Sequence, residues 1–258
     1  MPSPLLNAKD YAAPSLFEPG NLLREARRQK GLPAGDVPAI CVLDPDGDLA
    51  VYLLASGLGV LAPEWACYHT ELVAFEHMGQ RFGVVARAVG ASFAVLVAEQ
   101  LFASGCQTLI SITSSGQIGD GGPTPYFILI EKALRDEGTS LHYLPPSAFA
   151  HADPALLARY RPALAAVKPR IVGGAVWTTD APYRETEAAI AAARDAGAIA
   201  VEMEAAALYA FAQAHGRPVL CFAHVTNKMA RVEGDFEKGD AGGAHAALGL
   251  LAAIASVR

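Results

Sequence analysis

Apolar positions fall into short runs along the chain, separated by polar, Gly and Pro punctuation. The first 35 residues carry Pro2, Pro4, Pro14, Pro19 and Pro33 and read as an irregular arm followed by a helix over 21–29. Apolar runs at 39–43, 49–54 and 82–89 predict strands. Over 92–104, Phe93, Leu96, Val97 and Leu101 recur at helical spacing, and Gly105 is a suitable stop. A β-rich run at 108–112 leads into a small-residue loop over 113–122. The second half alternates more cleanly. A helix is expected over 155–167, then a strand over 171–177 and a loop over 178–184. A helix over 185–196 closes at Gly197 and precedes a strand over 198–201. A helix over 205–215 closes at Gly216 before a strand over 218–225, a polar loop over 226–239 and a last helix over 243–257. Strands alternating with helices of this length predict an α/β fold with a largely buried sheet. Ligands of such folds gather at the carboxyl ends of strands.

Composition narrows the class. The chain has 258 residues, 52% hydrophobic and only 18% charged, against about 25% charged in an average domain. It must bury a large core, which excludes dominant disorder, and one α/β domain fits the length. The division read from the sequence is an arm and helix over 1–35 and an α/β domain over 36–258. The formal net charge of −6 argues against nucleic acid as a partner. The basic cluster Arg24, Arg27, Arg28 and Lys30 reads as a solvated helix face. With no long apolar run and no leader pattern at the N-terminus, the expectation is a cytoplasmic protein with no membrane span. The four cysteines are scattered, with no C-x-x-C pair, and no histidine pair has metal-ligand spacing. Buried reduced thiols and no metal are expected.

Four stretches carry candidate chemistry. In AVEMEAAAL, Glu202 and Glu204 are two apart and, if extended, project to one side. Buried carboxylates need partners, and a vicinal diol supplies two donors to one carboxylate; support of the following helix's N-terminus is the other reading. The loop SITSSGQIGDGG offers hydroxyls and backbone N–H groups to an anion or is a surface turn, and it has no nucleotide-binding Lys or G-x-G-x-x-G. WTTDAPYRET brings Trp177, Asp180, Tyr183 and Arg184 within eight residues, suited to stacking on a planar base and reading its edge, or to a capped loop. Asn227 follows a strand and can bridge donors and acceptors of a heterocycle, or form an Asx-turn. Among the seven histidines, His69, His77 and His224 are placed to reach a pocket.

Together these stretches resemble the nucleoside phosphorylase superfamily, the purine nucleoside and uridine phosphorylases with their nucleosidase relatives. VEMEAAALYAFA is similar to that family's ribose signature, TTDAPYRETE to its base-side loop, LISITSSGQIGD to its phosphate strand and loop, and AVGASFAVLVAEQLFASG to the preceding helix. The resemblance covers roughly 38–255. It implies a single-domain, three-layer α/β/α fold with a mixed, partly barrel-like sheet. It implies cleavage of the N-glycosidic bond of a nucleoside by phosphate, giving free base and ribose 1-phosphate. No cofactor is implied beyond inorganic phosphate as co-substrate, and the assembly implied is a homodimer or a hexamer built as a trimer of dimers. Carried over, Glu202, Met203 and Glu204 bind ribose. Thr113, Ser114, Ser115 and Gly116 bind phosphate. Trp177, Asp180, Tyr183, Arg184 and Asn227 surround the base. Glu204 and Asn227 act in catalysis, and Asn227 leans towards a purine through its N7.

Two departures from the family pattern bear on the reaction. The phosphate-loop arginine aligns with Ser111, and the Gly-Asp-Pro-x-Arg turn appears as DPDGDL without an arginine. Arginine is well suited to hold a phosphate dianion; Arg81, Arg87 and Arg184 are the available substitutes. The resemblance to nucleosidases implies an alternative, hydrolysis, with Asp46 or Asp48 activating water. A non-catalytic nucleoside-binding protein is the third reading.

Overall fold

A computed structural model describes residues 9–227 and 238–257. Its elements are α1 (Pro19–Lys30), β1 (Ile40–Asp44), α2 (Asp48–Ala55), β2 (Gly59–Leu61), β3 (Leu72–His77), β4 (Gln80–Ala86) and α3 (Ala91–Ala103). There follow β5 (Thr108–Gln117), β6 (Tyr126–Asp136), β7 (Phe149–His151), α4 (Pro154–Leu164), β8 (Ile171–Thr179) and α5 (Glu187–Asp195). The chain then runs through β9 (Ala198–Glu202), α6 (Ala205–His215), β10 (Val219–Asn227) and α7 (Ala244–Ala255).

One mixed sheet runs β10-β6-β8-β9-β5-β1-β4-β3-β2, and an added β10–β5 pairing closes the first five into a barrel. β1, β4, β5 and β10 are joined by parallel pairs, while β9 meets β5 antiparallel. Two helix groups flank the sheet, α1 with α3 and α6, and α2 with α4 and α7. This is the α/β architecture that the pattern and the resemblance imply. Its main core cluster is dominated by Val, Leu, Ile, Phe and Ala from the strands and the inner helix faces, with two smaller clusters around Trp177 and around Leu23. Tyr209 is wholly buried there and offers its hydroxyl to the Ile130 carbonyl at 2.6 Å while accepting from the Cys221 N–H at 3.1 Å. All four cysteines are buried free thiols. No helix among the described residues is long and apolar enough to cross a membrane.

Three local expectations are corrected. Residues 49–54, expected as a strand, lie in helix α2. Leu49, Ala50 and Leu53 face the core, and a short apolar run carries no period that separates the two states. The helix starts there because the buried Asp44 carboxylate accepts from the Gly47 N–H at 3.1 Å and the Ala50 N–H at 3.0 Å. Residues 113–117, expected as loop, extend β5. Ladder partners on both sides, Thr113 with Ala223, Ser114 with His224, and Gly116 with Val201, hold them in the sheet. Strand β6 occupies a stretch in which the pattern gave no element. Of the expected polar loop 226–239, Thr226 and Asn227 belong to β10, and 228–237 lie outside the described residues.

Candidate active site

The carboxyl ends of β1, β5, β9 and β10 converge, because β5 is flanked by the other three. At the end of β9 the chain bends, and the two glutamates separate. Glu202 turns into the start of α6, where its carboxylate accepts from the Thr178 hydroxyl, the Glu204 N–H at 2.7 Å and the Ala205 N–H at 2.8 Å. Thr178 in turn accepts from the Ala206 N–H at 3.0 Å. Glu202 is therefore consumed by the helix start, and the expectation that both carboxylates face one side is corrected. Glu204 is the N-cap residue of α6 without a side-chain capping bond. Its Oε1 accepts from the Gly90 N–H at 2.7 Å, and its Oε2 is buried with no partner among the described residues. Burial pushes the Glu204 carboxyl up from the usual range, and the neighbouring Glu202 charge adds to the rise. Burial raises Glu202 as well, against the pull of its three donors. Met203 lies between them, half-buried.

The turn after β1 brings Asp46 onto β5. The Asp46 carboxylate accepts from both the N–H and the hydroxyl of Ser114, each at 2.9 Å. Lys238 bridges Asp46 at 3.2 Å and Asp48 at 2.7 Å. Burial acts to lower the Lys238 ammonium, but the two carboxylates prevail and its pKa is raised. Asp44, Asp46, Asp48, Thr113, Ser114, His224, Lys238 and the glycines 242 and 243 line a cavity of about 30 Å³. Burial raises the Asp44 carboxyl to about 6 against its two backbone donors. His224 is 6% exposed, stacks on Phe127 at 4.4 Å between centroids, and is pushed by burial down to about 4.

The remaining predicted residues scatter. The Thr113 hydroxyl contacts the Ser114 carbonyl at 3.3 Å, and Gly116 lies in the β5 ladder. Ser115 and Ser111 carry buried hydroxyls without partners among the described residues. Asn227 ends β10, half-buried, with its amide donating to the Thr226 hydroxyl at 3.2 Å. Trp177 is buried with Ile118, Ala193, Ala198 and Val201, and its indole donates to Asp136 at 2.9 Å. Asp180 accepts from the Gly138 N–H at 2.9 Å. Tyr183 is 100% exposed and Arg184 is exposed, on a 3-10 turn. The structure thus brings Glu204, Asp46, Asp48, Thr113 and Ser114 to the converging strand ends and leaves Tyr183 and Arg184 in solvent. Lys238 and Gly90 were missed by the sequence reading; Lys238 is 190 residues from Asp48 and has no local signal.

The sequence profile of the phosphorylase superfamily matches residues 40–256. The chain belongs to the phosphorylase superfamily. No curated protein matches it. Among solved structures, this superfamily member is similar to uridine phosphorylase from Vibrio fischeri ES114, with TM-score 0.70 and 20% identity over 86% of this chain and 92% of that one. It is equally similar, with TM-score 0.70 and 20% identity, to the same enzyme complexed with 6-hydroxy-1-naphthoic acid, over 85% of this chain and 90% of that one. The fold is shared with that enzyme, and the superfamily is of pentosyl-transfer type.

The electrostatics around Ser114 are dominated by carboxylates. Ser114 has its N–H and hydroxyl turned to a carboxylate of the same chain. Lys238 is the one cation lining the cavity among the described residues, and it answers two carboxylates. Arg87 lies beside this turn, exposed, with φ +62° and its N–H on the Asp44 carbonyl at 2.9 Å. A Cβ on Gly47 would come within 3.1 Å of its Cγ.

Proposed function

We propose that this chain cleaves the N-glycosidic bond of a nucleoside, with Glu204 holding the ribose diol. The observation that carries this reading is the Glu204 carboxylate, tied at one oxygen to Gly90 and buried at the other without a partner among the described residues. A buried acceptor left unmade costs about 1–3 kcal/mol, which a ribose hydroxyl would repay on binding. Met203 packs on the sugar, and Asn227 donates a hydrogen bond to the leaving base without transferring a proton.

The geometry favours water as the nucleophile. Asp46 already takes the two Ser114 donors that a phosphate would need, and the cavity walls carry more carboxylates than cations. Water attacks C1′, its proton passes to Asp46, the C1′–N bond breaks, and the base leaves to be protonated from solvent, giving free ribose. Phosphorolysis is the second reading, supported by membership of a phosphorylase superfamily and by Arg87, whose guanidinium has no ion-pair partner among the described residues. Phosphate would then displace Asp46 from Ser114 and yield ribose 1-phosphate. The base is a pyrimidine in this proposal rather than the purine towards which Asn227 leans. The two solved structures named above are of one uridine phosphorylase, and a carboxamide meets a pyrimidine's adjacent C=O and N–H as well as it meets a purine N7. Assembly through a second copy belongs to the same reading, supported by the exposed Val51, Leu54, Leu58, Val60, Leu61 and Met78 on and around α2 and the β2–β4 meander.

The test is a panel of pyrimidine and purine nucleosides with and without inorganic phosphate, with base and sugar products separated by chromatography. Phosphate-independent release of ribose, lost in Asp46→Asn, supports the hydrolytic reading. Release that requires phosphate and gives ribose 1-phosphate replaces it with the phosphorolytic one. No release from any nucleoside refutes both and leaves a binding protein.

A further inference from the structure

We infer that His224 is a second catalytic contact to the attacking nucleophile, holding it against Asp46 across the small cavity. This rests on the glycosidic-cleavage reading and adds to it a residue that the superfamily resemblance does not supply.

The placement is fixed by strand register. His224 on β10 is the Cα partner of Ser114 on β5 and of Phe127 on β6, and paired residues present their side chains to one face. The imidazole therefore stacks on Phe127 and stands beside the hydroxyl that grips Asp46. Its third neighbour is the glycine turn before α7. A Cβ on Gly243, at φ +87°, would lie 3.1 Å from His224 Cε1 and 3.2 Å from Nδ1. A side chain there would be strained at this φ and would crowd the ring. Among the described residues the ring is thus flanked by Phe127 and the glycine turn, and it lines the cavity shared with Asp46, Ser114 and Lys238.

Only 6% of the residue is exposed, its ring lines the cavity, and its nitrogens are not among the fully enclosed, unpaired polar atoms of the described residues. They are therefore open to a water held in that cavity. The cavity of about 30 Å³ has room for about one or two waters, since one needs roughly 10–15 Å³. It is lined by enough polar groups to hold them. The ring is neutral at neutral pH, so it offers one N–H and one acceptor nitrogen. A water seated there hydrogen-bonds to His224 and gives its proton to Asp46 as it attacks; the imidazole keeps its own proton throughout. Should the nucleophile be phosphate, the same nitrogen meets a phosphate oxygen, and the products of the panel above tell the two apart.

Two variants test this. His224→Leu removes both nitrogens, and His224→Gln restores a polar terminus. Expected is a fall in kcat of about tenfold or more for His224→Leu, a nucleoside KM changed by less than about twofold, and partial recovery in His224→Gln. The KM and kcat split separates nucleophile positioning from general damage to the fold. Unchanged kcat in both variants overturns the inference while leaving the glycosidic-cleavage reading intact. The second measurement needs no turnover. In ¹⁵N-histidine-labelled wild-type protein, a water-to-imidazole cross-relaxation peak at His224 is expected. Its absence, together with a His224 signal unmoved by inorganic phosphate, overturns the inference even if no nucleoside is cleaved.

Discussion

Replacing Glu204 by glutamine should move activity and stability in opposite directions. In the native protein Glu204 Oε1 accepts from the Gly90 N–H at 2.7 Å, and Oε2 has no partner among the described residues. In Glu204→Gln the amide would keep its carbonyl on Gly90 and present an NH₂ donor where the diol needs an acceptor. Hydrogen bonds to a charged group are worth about 1.5–3 kcal/mol, so at pH 8.5, where the Glu204 carboxyl is largely ionised, kcat/KM should fall by about 10- to 150-fold at 1.4 kcal/mol per decade. Stability responds the other way. Burial raises the Glu204 carboxyl, with the Glu202 charge adding to it. A raised carboxyl binds its proton more tightly in the folded chain, so its presence lowers stability progressively as pH rises from the unfolded value towards the folded one. The amide has no such penalty. Thermal melts should show the variant at least as stable as the wild type at pH 5 and more stable at pH 8.5. Base release from the best wild-type substrate supplies the kinetic arm. A variant that retains full kcat/KM, or that melts lower at pH 8.5, would refute the account of Glu204 as a strained, unpaired ribose acceptor.

Three further outcomes follow from named contacts. Tyr209→Phe orphans the Ile130 carbonyl and the Cys221 N–H in the core, so chemical denaturation should show a loss of about 2–3 kcal/mol; a change under about 0.5 kcal/mol would contradict the pairing. Gly47→Ala places a Cβ at φ +86° within 3.1 Å of Arg87 Cγ and should cost about 1–2 kcal/mol, read as a lower melting temperature. His224, held down to about 4 by burial, binds fewer protons folded than unfolded between about pH 4 and 6.5. It should therefore contribute up to about 3 kcal/mol of stability present above pH 6.5 and lost as pH falls through that window. Asp44, raised to about 6, works in the opposite sense over the lower part of the window. His224→Gln should accordingly flatten the acid loss in a pH series of melts, and an unchanged slope would count against the buried neutral ring.

The sequence by itself determined the α/β class, most helix ends and the residues that carry the superfamily resemblance. These are local properties. Helix α6 starts and stops where an Ala-rich run meets Glu204 and Gly216, and apolar strands bounded by glycine and polar residues need no knowledge of their neighbours. Tertiary structure decided what each polar residue does. Residues 113–117 are strand because β9 and β10 pair with them, and nothing local distinguishes Thr-Ser-Ser-Gly in a ladder from the same residues in a turn. Residues 49–54 are helix because a carboxylate from β1 holds the first turn. Glu202 and Glu204 look alike in the chain. The bend after β9 spends the first on the start of α6 and leaves the second open beside Gly90. The same physics separates Asp46 from any other surface aspartate. Its role comes from Ser114, 68 residues away, and from Lys238, close to the other end of the chain. Hydrogen-bond partners across such distances in sequence are chosen by sheet order and strand register, which the hydrophobic pattern constrains only through the fold it builds.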